Sequence, residues 1–103
     1  MNRYDPEAAA VKLLEHMSVR NIAAAETRWG FVWQAEVSFD GNPVAVATDD
    51  GHGGPVEFTA VSDPARPILR DLLRAGDIVL RRPEGLSLIV AKLADMADVT
   101  GGQ

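Results

Sequence analysis

Between Phe31 and Phe39 the chain alternates: Phe31, Trp33, Ala35, Val37 and Phe39 take turns with Val32, Gln34, Glu36 and Ser38. A period of two belongs to a strand with one buried face, and no helix satisfies it. Asp40-Gly41 follows, a dipeptide suited to a two-residue type I′ turn whose twist matches that of paired strands. Val44 to Thr48 then runs back. Counting across the turn predicts Val37 opposite Val44, Ala35 opposite Val46 and Trp33 opposite Thr48. Pro43 stands at the start of the returning strand, where a missing N–H is tolerated. One hairpin is thus specified by pattern and turn chemistry together, and the rest of the chain must pack on it.

The flanking segments read mainly as helices. Pro6 to Met17 has Asp5 as a cap, Pro6 at the first helical position, and Val11, Leu14 and neighbouring alanines as an apolar stripe. Val19 to Ala25 reads as a first strand, with a continued helix as the other option. Pro55 to Ala60 adds a short strand with Val56 and Phe58 on one face. Asp63 and Pro64 open a helical stretch whose predicted buried stripe is Ile68, Leu69, Leu72 and Leu73, with Gly76 as its stop. Arg66, Arg70 and Arg74 recur on the opposite side. Residues Asp77 to Ile89 fit either a hairpin turning at Arg82-Pro83-Glu84-Gly85 or the approach to a closing helix over about Glu84 to Asp98, and the helix is preferred. Thr100 to Gln103 reads as a frayed tail. The expected fold is α+β: a small antiparallel sheet of three or four strands, with an N-terminal helix and two C-terminal helices packed on it. All 103 residues form one domain.

Composition narrows the chemistry. There is no cysteine, which removes disulfides, thiolate metal sites and cysteine nucleophiles. No apolar run approaches a membrane span and no secretory signal is evident, so a cytoplasmic protein is expected. The net charge of −5 disfavours direct nucleic-acid binding and acidic membranes. Charge is also unevenly placed. No lysine or arginine lies between Arg28 and Arg66, where Glu36, Asp40, Asp49, Asp50, Glu57 and Asp63 all fall, and five arginines follow between Arg66 and Arg82. An acidic sheet surface balanced by a basic helix face accounts for this; so does a one-sign patch that selects a partner.

The segment richest in candidate chemistry is Asp49-Asp50-Gly51-His52-Gly53-Gly54. Its glycines permit φ > 0 and close backbone approach. It is not a phosphate loop of Walker type, lacking the spaced first glycine and the Gly-Lys-Ser/Thr end, nor a dinucleotide fingerprint, since Pro55 follows where a helix should open. Asp49, Asp50 and His52 are possible ligands for a metal, but three donors within four residues crowd one ion, and His16 is the only other histidine. His52 beside an aspartate could act as a general base, yet no serine or threonine sits in a nucleophile motif. A strand-ending turn, with Asp side chains accepting backbone N–H bonds, explains the run more simply. No catalytic residue, metal ligand or cofactor is therefore assigned. Trp33 is expected in the core. Trp29, before Gly30 in a turn, is a candidate contact anchor, since aromatics dominate binding hot spots. Gly101-Gly102-Gln103 matches the release-factor tripeptide by coincidence, without a surrounding basic domain.

From Val19 to Gly54 the succession of a strand, Glu26-Thr27, an alternating strand, Asp40-Gly41, a short strand and the Asp49–Gly54 run resembles a group of small uncharacterised bacterial and phage proteins. In these a strand hairpin is followed by an Asn/Asp-Asp-Gly-His/Arg-Gly-Gly loop, and Pro55-Val56-Glu57-Phe58 stands for the aromatic-bearing segment after the glycines. The group has no assigned activity. The resemblance implies the strand assignments and a phage or mobile-element setting, and it carries no functional residue across. The expectation is a non-enzymatic protein-interaction module, such as a small accessory or inhibitory (anti-defence) factor. Its contacts to another protein would be made through Trp29, Asp49, Asp50, Gly51, His52, Gly53, Gly54 and Glu57. The alternative is a metal-dependent or acid–base enzyme centred on the same loop. A homodimer is compatible with either, and a pocket lined by Arg66, Arg70 and Arg74 would mark a binder of phosphorylated ligands instead.

Overall fold

A computed structural model of the protein describes residues 5–28, 30–51 and 55–101. Seven elements follow in order: α1 (Pro6–Leu14), β1 (Met17–Thr27), β2 (Gly30–Phe39), β3 (Asn42–Asp49), β4 (Glu57–Ala60), α2 (Arg66–Leu80) and α3 (Gly85–Gly101). The four strands form one antiparallel meander in the order β1-β2-β3-β4. The fold is α+β, as the sequence predicts, with one helix before the sheet and two after it.

Asp5 caps α1: its Oδ1 accepts N–H bonds from Glu7 at 3.0 Å and Ala8 at 3.3 Å. The helix ends at Leu14 rather than near Met17. The carbonyl of His16 is already committed to the sheet, accepting the Asp40 N–H at 2.9 Å, and Met17 pairs with Phe39. Sheet pairing overrides the local helical tendency here.

The β2–β3 turn has the conformation anticipated, with Asp40 at φ 52° and Gly41 at φ 82°. The register does not follow simple counting. Phe39 faces Asn42 and Ser38 faces Pro43, but Val37 faces Ala45, Ala35 faces Ala47 and Trp33 faces Asp49. Val44 is an inserted residue, a bulge that sends Val44 and Ala45 both into the core, where they are 2% and 0% exposed. That extra burial is its physical reason. It turns Val46 and Thr48 to the other side of the sheet. A second bulge, at Ile22, interrupts β1 against β2.

The core lies between one sheet face and the helices. Ala45 and Ala47, both fully buried, make a low floor on which Leu69 and Leu72 of α2 and Leu86 and Val90 of α3 can settle, with Val37, Val44 and Val56 around them. The buried stripe of α2 is Leu69, Leu72, Ala75 and Gly76. Ile68 is half-buried and Leu73 is 37% exposed, so the expected stripe is rotated by part of a turn.

Gly76 is not a helix stop. It lies within α2, where a Cβ would come 2.5 Å from the Leu86 main-chain nitrogen, and a Cβ on Gly85 would collide with the Gly76 carbonyl. The pair lets α2 and α3 approach backbone to backbone. The chain turns between them through Arg81 (φ 56°) and Glu84 (φ 61°), and Asp77 Oδ1 accepts the Gly85 N–H at 3.0 Å. Residues 77–89 therefore belong to two helices and their turn, not to a β-hairpin. Thr100 and Gly101, expected in the tail, are helical. Arg81 also reaches back to Glu7 at 3.3 Å, tying the end of α2 to α1.

Candidate functional site

The chain leaves β3 in a tight turn. Asp49 Oδ1 accepts the Gly51 N–H at 2.8 Å, the geometry of an Asx turn, and Gly51 has φ 82°. Its carbonyl rests against the start of β2. Gly30 has φ 130°, and a Cβ there would stand 2.8 Å from the Gly51 oxygen. Only glycine fits that contact, on both conformational and steric grounds. The start of β2 and the end of the Asp49 turn thus meet at one end of the sheet.

Of the residues singled out from sequence, Asp49, Asp50 and Gly51 come together here beside Gly30. Asp49 is half-buried opposite Trp33, and Trp33 packs partly buried against the core. Asp50 is exposed, and it is not without a partner. Glu57 stands apart. It pairs with Thr48, which pairs with Gln34, so strand alternation sends it to the opposite face from Asp49. Trp29, His52, Gly53 and Gly54 lie outside the described residues. Among the described residues, no group of three or more His, Asp or Glu side chains is arranged to hold a metal ion, and no polar or charged side chain is buried. The described part of the site is an acidic turn held by the Asp49 side chain, with Asp49 half-buried and Asp50 exposed.

The arginines do not share one pocket. Arg66 and Arg70 line a recess of about 390 Å³ between β4 and α2, whereas Arg74 lines a cleft of about 180 Å³ between α1 and α2 beside Asp71. Arg66 is held by Asp63 at 3.0 Å. A second recess of about 410 Å³ shares Phe58 and Leu73 with the first and is bordered by Asp77 and Glu84. Sequence reading missed this pair of recesses, because they arise where a strand edge passes a helix distant in sequence.

It also missed a side-chain hydrogen bond at the sheet end and an ion pair between neighbouring strands. His16 Nδ1 and Asp40 Oδ1 are 2.6 Å apart, with the imidazole tilted over Phe39 at 5.6 Å between ring centroids. Arg20 and Glu36 meet at 2.8 Å on the face away from the helices. The only sequence signal for the second was a predicted pairing of adjacent strands; nothing local pointed to the first. No protein-family model matches the chain, and no curated protein or solved structure shows significant similarity to it.

Proposed function

We propose that the protein is a non-enzymatic interaction module that binds another protein through the end of the sheet built from the Asp49–Gly51 turn and the adjoining β1–β2 turn. The observation that carries this reading is the double fixing of the turn: Asp49 holds the Gly51 N–H, and Gly51 seats on Gly30. A loop ordered before contact loses less conformational entropy on binding than a free one. Its carboxylates suit a basic partner surface and favour fast, salt-sensitive association. No helix is long and apolar enough to cross a membrane, and a cytoplasmic setting is part of the proposal. The resemblance to small phage and bacterial proteins gives the role its direction, an accessory or inhibitory factor of a mobile element.

The test is capture of partners from the native host, with the intact protein as bait and mass spectrometry as readout. Asp49→Lys/Asp50→Lys should reduce retention of the captured partner at least tenfold, while Glu57→Lys, on the opposite sheet face, and Arg74→Glu on α2 should leave it unchanged. If the double variant retains the same proteins in the same amount, this surface is not the contact.

A further inference from the structure

Helix α2 has a second seam besides the one it buries. Arg66, Arg70, Leu73, Asp77 and Leu80 are all exposed and follow each other at alternating intervals of four and three residues. That spacing keeps them on one helix face. Leu73 and Leu80 are large apolar side chains left in water, 37% and 38% exposed. Among the described residues Arg70 has no acidic partner in its own chain. The seam borders both recesses along β4: arginines mark one end, Asp77 and Glu84 the other, and Leu73 with Phe58 lies between.

Read in reverse, the central Arg70–Asp77 stretch of this seam is its own complement. Turning it end for end about Leu73 sets Arg70 against Asp77 and Arg66 against Leu80, whereas a parallel pairing would set arginine on arginine and aspartate on aspartate. We infer that the α2 seam is the interface of a two-fold homodimer. The two α2 helices run antiparallel, Leu73 meets Leu73 of the second copy on the axis, and each Arg70 pairs with Asp77 of the second copy. A two-fold axis requires such self-complementarity of one patch. Asp77 can serve both roles, since its Oδ1 accepts the Gly85 N–H and its other carboxylate oxygen is left for Arg70.

The strand beside the seam agrees with this axis. The Val61 N–H donates to the Val44 carbonyl at 2.9 Å. Alternation along an antiparallel ladder then directs the main-chain groups of Phe58 and Ala60 away from β3, toward the open edge. A second copy seated on the seam would lie beside this open edge.

The chain lacks cysteine, so a single introduced thiol reports the axis. Under mild oxidation Leu73→Cys should form a disulfide-linked dimer, while Arg74→Cys, one residue along and off the seam, should stay monomeric. Sedimentation equilibrium of the full chain should show a dimer that Arg70→Glu weakens at least tenfold and that Arg74→Glu, the same charge change outside the seam, leaves intact. A wild-type chain that stays monomeric at millimolar concentration overturns the inference. So does an Arg70→Glu dimer as tight as wild type, or an Arg74→Cys crosslink that forms as fast as the Leu73→Cys one. The seam shares no residue with the Asp49–Gly51 turn, so loss of dimerisation and loss of partner capture are separable results.

Discussion

A single methyl group decides whether the two turns at the end of the sheet can meet. At Gly30 it would press on the Gly51 carbonyl at 2.8 Å while forcing an L-residue to φ 130°. Gly30→Ala should therefore cost about 1–3 kcal/mol of stability, read as a lower midpoint in urea unfolding, and should loosen the Asp49 turn with it. His16→Ala is a milder case. Both partners of the His16–Asp40 contact are more than half exposed, so its loss should cost only about 0.2–1 kcal/mol, and the same titration checks it. The turn itself was legible in the sequence, since an aspartate two residues before a glycine is local chemistry. Its seat was not. Gly30 and Gly51 are brought together by the register of β2 against β3, which the bulge at Val44 sets, and no short-range pattern encodes that. The same holds for His16 and Asp40, which are 24 positions apart.

Among the elements, the pairing of α2 with α3 sets two known effects against each other. Intrinsic propensity says that Gly→Ala inside a helix gains about 1 kcal/mol. Here the added Cβ would lie 2.5 Å from a backbone nitrogen of Leu86, and backbone cannot move aside as a side chain can. Overpacking of this kind costs about 1–3 kcal/mol, so Gly76→Ala should destabilise the protein despite better propensity. Urea unfolding gives the sign directly. Sequence alone reads Gly76 as a stop because a helix-ending glycine and a helix-crossing glycine look alike until the partner helix is known. The strands show the matching limit. Alternation located β2 and its turn correctly, but parity counting breaks at the first inserted residue. One bulge at Val44 moved every pairing from Val37 to Trp33 by a position.

For the whole molecule, the layers were legible because hydrophobic periodicity switches from two to near 3.6 along the chain. One strand hairpin and two apolar helix stripes leave few ways to share a core. Surfaces are harder, since the residues that shape them are free of packing constraints. The rotated stripe of α2 left Leu73 outside, and it is this exposed face, not the buried one, that bears on assembly. If two chains associate through it, stability becomes linked to concentration by mass action. The unfolding temperature should rise over a hundredfold increase in protein concentration for wild type and rise less for Arg70→Glu. Added salt should weaken the dimer by screening the Arg70–Asp77 pairs.

The bulge at Ile22 has a consequence for the chain's behaviour in a crowded solution. β1 is the longest strand, 11 residues on an outer edge, and its Ala23-Ala24-Ala25 stretch is small and uncharged, a ready template for stacking chain upon chain. The inserted residue breaks the even spacing of donors and acceptors along that edge and coils it away from flatness. A bulge at Ile22 thus works against edge-to-edge pairing of further chains. Deleting it should leave a foldable hairpin whose solutions become turbid and bind thioflavin T at concentrations where the intact protein remains clear.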